Sequence, residues 1–306
     1  MIEIKTSYEV LPYKTAVPVR GKLISENQFL KVTLLEEDYF ISVLPGFHES
    51  TLTEIAFKVK YFFSHYTLNF SDIHFSKPFF NLVPLDDYLV SVRNEALFNI
   101  EVLLLSMLKK THPGLFNNNE ILINELYRPS SGAGAYAHSN CLKIKITPDS
   151  VTKTIRLIKE LHTHNKDLII RLDGNRLFEL DELISFKEEL LQNISSESVE
   201  KIDYIEEPLK IFYETFLFQK RSRLKIAMDE SFSAYKDLPT EKFPDDVIVV
   251  IKPSLYGIST IHNWIQIHPK KRMIISSSFE HPSVRIGLDF LAQENPLEFH
   301  GLESYL

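Results

Sequence analysis

The 306 residues contain a single cysteine, Cys141, so no disulfide can close within the chain, which suits a reducing compartment. The expected role of that thiol is that of a small buried hydrophobe. There is no excess of basic residues. With 34 Lys and Arg against 41 Asp and Glu the net charge is −7, which removes the electrostatic footprint of a nucleic-acid binder. Long apolar runs are missing as well. Stretches such as Val102-Leu103-Leu104-Leu105 fall far short of the ~20 residues that cross a bilayer, so no membrane partner is expected. The opening Met1-Ile2-Glu3-Ile4-Lys5 has neither the basic start nor the apolar core of a signal peptide, which makes a cytoplasmic location the expectation. No low-complexity tract interrupts the chain. What remains, 44% hydrophobic and 25% charged, is ordinary for a globular protein of one or two domains.

Two textures divide the chain. The first 45 residues alternate in strand fashion: Tyr8–Tyr13 and Ala16–Leu23 are expected to pair, and Phe29–Leu35 and Tyr39–Leu44 flank a turn at Glu36-Glu37-Asp38. Glu54–Phe63 reads as a helix with Ile55, Val59 and Phe62 on one face. Ser91–Leu108 reads as a second helix, and Phe70–Leu85, with Pro78 and Pro84, reads as a connection. Residues 1–110 are thus expected to form an α+β unit, to which the C-terminal tail could return. From 111 to 306 short apolar runs alternate with helical patterns: Ile121–Leu126, Leu142–Ile146, Leu168–Asp173, Ile202–Glu206, Ile226–Asp229, Val249–Lys252 and Arg272–Ser276. Thr147-Pro148 supplies an N-cap and first turn for the helix lined by Ile155, Ile158 and Leu161. Such runs are the strands of a doubly covered parallel sheet. The fold class is α/β, a modified TIM-type (β/α)7β barrel preceded by an α+β capping domain.

Five of these runs end on or beside an ionisable residue: Lys145, Asp173, Glu206, Asp229 and Lys252, at spacings of 28, 33, 23 and 23 residues. Charged groups at successive strand ends of a barrel mark an active site. Taken singly, each has a bland explanation: Lys143-Ile144-Lys145 as a solvated edge, Glu206-Glu207-Pro208 as a polar strand end, Asp229-Glu230-Ser231 as a helix start. In order and at barrel spacing they form a set. Three carboxylates at one barrel mouth repel one another unless a cation compensates them. All-oxygen donors with room for water and substrate favour Mg²⁺, for which Mn²⁺ can substitute. Lys145 and Lys252 flank the carboxylates. Lys143 and a cation would disfavour the charged form of Lys145, leaving a neutral amine able to act as a general base. The reaction class is removal of a proton next to the carboxylate of a small-molecule substrate, with the metal stabilising the enolate.

The ordered set Lys-x-Lys, Asp-x-Asn, Glu-Glu-Pro, Asp-Glu-Ser and Lys-Pro resembles the enolase superfamily. Within it, Arg171-Leu172-Asp173-Gly174-Asn175-Arg176, Val250-Ile251-Lys252-Pro253 with Gly257, and Ser276-Ser277-Ser278-Phe279-Glu280 resemble the o-succinylbenzoate synthase family, over roughly residues 120–302. The resemblance implies Mg²⁺ ligation by Asp173, Glu206 and Asp229, Lys145 as base, and Lys252 stabilising an enediolate from the opposite face. It implies syn dehydration of 2-succinyl-6-hydroxy-2,4-cyclohexadiene-1-carboxylate to o-succinylbenzoate, a lyase step of menaquinone biosynthesis. Lys143, Arg171, Asn175, Ser276, Ser277 and Ser278 are placed near the substrate or behind the reacting groups. Gly174 stands where the family has Ala, expected to be a mild change, and His281-Pro282-Ser283-Val284-Arg285 departs from the family's small residues beside the substrate.

Two other readings use the same residues. An N-acyl amino acid racemase or dipeptide epimerase would employ Lys145 and Lys252 as two bases on opposite faces. A non-catalytic binding protein on the same barrel would have no need of a base. Arg20 and Gly21, within Pro18–Leu23, are candidates for a loop closing over the substrate.

Overall fold

The computed structural model describes residues 4–19, 22–34, 36–43, 48–65, 94–116, 119–219, 222, 224–235 and 246–303. The expected connection at Phe70–Leu85 and the candidate loop residues Arg20 and Gly21 lie outside them.

Three strands open the chain: β1 (Lys5–Val19), β2 (Lys22–Leu34) and β3 (Glu37–Ser42), paired antiparallel in the order β1-β2-β3. Tyr8–Tyr13 and Ala16–Leu23 do not pair with each other as expected. Most of both runs belongs to one long strand, in which Tyr8 sits opposite Leu30 and Val17 opposite Ile24, with a register shift between Pro12 and Val17. The proline explains the error: it interrupts the ladder without ending the strand, as an edge position allows. The β2–β3 hairpin forms between the expected runs, with Phe29 opposite Ser42, but Glu37 and Asp38, expected in the turn, already pair with Leu34 and Thr33.

Behind the sheet lie α1 (Leu52–His65) and α2 (Asn94–Thr111). In α2 the run from Ile100 to Leu108 is buried on every side. A helix apolar all round must be covered all round. Here α1 packs on it from one side, and α8 (Ile258–Ile267) and α9 (Arg285–Ala292) pack on it from the barrel side.

The barrel strands are β4 (Glu125–Leu126), β5 (Cys141–Lys145), β6 (Ile169–Asp173), β7 (Ile202–Glu206), β8 (Ile226–Met228), β9 (Ile248–Ile251) and β10 (Met273–Ile275). They form one seven-stranded sheet in sequence order, paired parallel throughout. Helices α3 (Val151–His164), α4 (Leu180–Asn193), α5 (Ser196–Glu200), α6 (Thr215–Gln219) and α7 (Phe232–Tyr235) complete the βα steps with α8 and α9. A capping box between Thr147 and Ser150 opens the turn that leads into α3.

Both edges of the sheet meet the same C-terminal segment. His300 bridges Ile123 next to β4, and Gly301 bridges Ser276 at the end of β10. Asn124 N–H donates to the His300 carbonyl (3.0 Å) and Ser277 N–H to that of Gly301 (2.8 Å), so residues 300–301 complete the ring as its eighth stave. Glu303 then accepts from Leu126 N–H (3.3 Å), so the tail, as far as it is described, lies on the barrel.

Period-two alternation sorts the strand side chains. Leu142, Ile144, Ile170, Leu172, Ile205 and Ile226 face the helices, while Tyr204, Ala227, Ile248, Val250 and Ile274 fill the interior. The interior series continues upward into Asp173, Glu206, Asp229 and Lys252, two residues beyond Arg171, Tyr204, Ala227 and Val250.

Candidate active site

The strand register brings the charged ends together. Lys145 pairs in register with Asp173, and Asp173 with Glu206, while Asp229 and Lys252 lie immediately beyond β8 and β9. Lys143 Nζ lies 2.7 Å from Glu206 Oε1 and 2.9 Å from Asp173 Oδ2. The Lys252 ammonium donates to Asp229 Oδ2 and stands 4.0 Å from Glu230 Oε1. Lys145 is exposed at the mouth.

Burial sets the electrostatics. Glu206 is 1% exposed, and desolvation, helped by the charges of Asp173 and Asp229, pushes its carboxyl up to about 8 despite Lys143. Burial also works against ionised Asp173, but Lys143, Lys145 and Lys252 outweigh it and hold that carboxyl below its ordinary value. Burial disfavours the charge on Lys143 and on Lys252, yet the facing carboxylates keep both ammonium groups above the usual lysine range. Among the described residues no three His, Cys, Asp or Glu side chains converge as a ready metal centre, because the two ammonium groups sit against the acids.

Arg171 is not at the mouth. It is fully buried two residues below Asp173, its guanidinium 4.8 Å from the Tyr204 ring. It donates to Asp203 Oδ2 (2.9 Å), Asn124 Oδ1 (3.0 Å) and the Phe299 carbonyl. Arg272 binds the same Asp203 and also Glu298. All these partners sit at or before the N-terminal ends of strands, so the guanidinium points away from the carboxylates and plugs the barrel floor. A buried charge needs that many partners.

The serine run divides three ways. Ser276 takes part in barrel closure, Ser277 donates its N–H to the closing segment, and buried Ser278 accepts from Ser254 Oγ at 3.1 Å. Asn175 is exposed on left-handed backbone (φ 45°), its N–H 3.3 Å from Asp173 Oδ1. His281 faces the capping sheet: its ring centroid lies 4.5 Å from that of Phe40 and 6.0 Å from that of Phe29. Ser283 Oγ accepts from Phe40 N–H at 2.8 Å. The departure at 281–285 thus builds the contact between sheet and barrel. Gly174 is tighter than expected: a Cβ there would lie 2.6 Å from Pro208 Cα.

A group around Glu207 escaped the sequence reading. Glu207 is 1% exposed and accepts from Asp229 N–H (2.8 Å), Ser231 N–H (3.3 Å), Ser231 Oγ and Arg176 Nε (3.0 Å). The signal was present: adjacent acids at a strand end cannot both face the interior, so the second had to find partners elsewhere.

Comparison with known proteins leaves the sequence without a match: no family model fits it, and no curated protein matches it. Solved structures do match. The o-succinylbenzoate synthase of Thermosynechococcus elongatus BP-1, complexed with Mg in its active site, superposes with a TM-score of 0.72 at 17% identity, covering 98% of this chain and 92% of that one. A mandelate racemase/muconate lactonizing protein from Herpetosiphon aurantiacus gives 0.69 at 14% identity, over 98% and 88%. The dipeptide epimerase of Enterococcus faecalis V583, complexed with Mg and the dipeptide L-Leu-L-Tyr, gives 0.68 at 14% identity, over 99% and 89%. No described helix is long and apolar enough to cross a membrane. At these identities the likeness establishes the fold: a TIM-type barrel behind an N-terminal capping sheet, as in these structures.

Proposed function

We propose that the chain is a Mg²⁺-dependent enzyme of the enolase superfamily that removes a proton next to a substrate carboxylate, and specifically an o-succinylbenzoate synthase. The observation that carries this reading is the row of Asp173, Glu206 and Asp229 on three neighbouring strands, flanked by Lys145 on one side and Lys252 on the other.

The residues fit a divalent cation. The donor set is entirely oxygen, and Glu206 Oε2 is buried without a hydrogen-bond partner. Asp173, Glu206 and Asp229 would hold the ion, taking from Lys143 and Lys252 the charge compensation that the ammonium groups now provide. When bound, the cation supplies stabilisation of the negative charge that develops on the substrate carboxylate.

Lys145, exposed at the mouth, takes the proton as general base and returns one to the departing hydroxide, so that water is the only loss. Lys252, across the carboxylates, keeps its ammonium and stabilises the enediolate from the opposite face. Lys143 holds Asp173 and Glu206 in place. The capping sheet is joined to the loop after β10, at the mouth end of the barrel, through Phe29, Phe40 and His281.

The test is loss of diene absorbance from the cyclohexadiene substrate, with Mg²⁺ and with excess chelator. Metal-dependent loss supports the synthase. The second reading, a racemase or epimerase, draws on the same two lysines and on dipeptide epimerases being among the structural neighbours. Deuterium exchange into N-succinyl amino acids or dipeptides, with no dehydration, would select it.

A further inference from the structure

Resting on that metal-ligand reading, we infer that Glu207, with Arg176 and Ser231, is a positioning unit that fixes Asp229 relative to Glu206 and so sets the affinity for the divalent cation. Both arms of the unit stand on left-handed backbone: φ is 37° at Glu207 and 57° at Arg176. Neither residue is glycine, so the conformation costs free energy that surrounding contacts must offset. At Glu207 the main chain is pinned on both sides. Its N–H donates to the Ala227 carbonyl (2.8 Å), and its carbonyl accepts from Arg176 N–H (2.7 Å).

The side chain then crosses to the end of β8. One carboxylate oxygen, Oε2, receives Asp229 N–H and Ser231 N–H; the other, Oε1, receives Ser231 Oγ and Arg176 Nε. Arg176 Nη2 completes the triangle with a 2.8 Å bond to Ser231 Oγ. The backbone of Asp229 therefore hangs from the residue covalently next to Glu206. Two of the three acids are held at a fixed offset through a single peptide unit and a buried carboxylate. Glu207 touches none of the three acids' side-chain oxygens in the described contacts and takes no part in proton transfer.

Groups that orient metal ligands without touching the metal typically change affinity by ~10–100-fold when removed. The test is titration of chelator-stripped protein with Mn²⁺, following the electron paramagnetic resonance signal of the free ion, alongside the melting temperature of the metal-free form. The unaltered protein should bind one ion. Glu207→Gln keeps the volume but loses the charge that Arg176 needs, and should raise the Kd by ~10-fold or more. Ser231→Ala and Arg176→Met each remove one donor to the Glu207 carboxylate and should weaken binding by a smaller factor in the same direction. The Arg176 side chain is 42% exposed, so that variant carries the test should Glu207→Gln fail to fold. A lowered melting temperature with an unchanged Kd would make the unit merely structural and overturn the inference while leaving the ligand reading standing. Absence of binding to the unaltered protein would overturn the ligand reading and this inference with it.

Discussion

At the scale of single residues, Gly174 and Lys145 carry the sharpest expectations. A methyl group at 174 meets Pro208 Cα at 2.6 Å, a backbone atom that cannot swing aside. Gly174→Ala is expected to cost about 1–3 kcal/mol in urea denaturation, as overpacking does, and to displace the neighbouring Asp173. The resemblance alone made this position a mild departure, because a motif names residue types and is silent on how closely another strand passes. Lys145→Ala and Lys145→Arg should both abolish turnover in the absorbance assay, the second because a guanidinium stays protonated and cannot act as a base. Retained activity in the arginine variant would remove Lys145 from that role. Asp229→Asn should lose most of the metal affinity while its circular dichroism stays native. The ionisable strand ends were legible because charge is costly at the end of an apolar run. Arg171 was not: one residue type serves equally at the mouth and on the floor, and only the partners Asp203, Asn124 and Phe299 distinguish them.

At the scale of elements, the contact between α2 and α8 is electrostatic as well as apolar. Glu101, buried in the middle of α2, accepts the backbone N–H groups of Ile258 and Ser259 (3.1 Å for Ser259) at the start of α8. Gly257 precedes them at φ +86°, where a Cβ would also press on Leu97 Cδ2 at 2.9 Å. Burial pushes the Glu101 carboxyl up to about 7 from 4.5, only partly opposed by those hydrogen bonds. The folded chain thus binds this proton more tightly than the unfolded chain. Its contribution to stability is full below pH 4.5 and is lost as pH rises towards about 7. Glu101→Gln should flatten that part of the stability–pH curve, by roughly 3 kcal/mol across the window, in denaturation series at stepped pH. An equal slope in both proteins would exclude Glu101 as its source. The helices themselves were readable from periodicity; the expected Glu54–Phe63 lies within Leu52–His65. Strand pairing at the N-terminus was not, because alternation gives the face of a residue and not the strand opposite it.

At the scale of the whole molecule, the sheet shares one apolar core with α2 and the barrel, in which Leu30, Val32, Leu34, Tyr39 and Ile41 join Ile258, Ile261, Leu288 and Leu291. Phe29, Phe40 and His281 supply the aromatic contact, and Ser283 the hydrogen bond to Phe40 N–H. His281→Ala should loosen the sheet over the mouth, raising KM more than it lowers kcat. A fall in kcat at constant KM would instead give His281 a part in the chemistry. The order of the barrel strands could be read from the sequence, since each βα step delivers the next parallel strand beside the last. The place of the closing strand could not, because Phe299-His300-Gly301 has no strand signature and is held from both sides by other strands.

That closing segment has a consequence for synthesis. His300 lies 177 positions after Ile123, the residue it bridges, so during translation the growing sheet carries two unsatisfied edges for the whole interval. Open edges of this kind invite pairing with other chains. The folding chain should therefore be at its most aggregation-prone after β10 has joined the sheet and before residues 300–301 dock between the two edges.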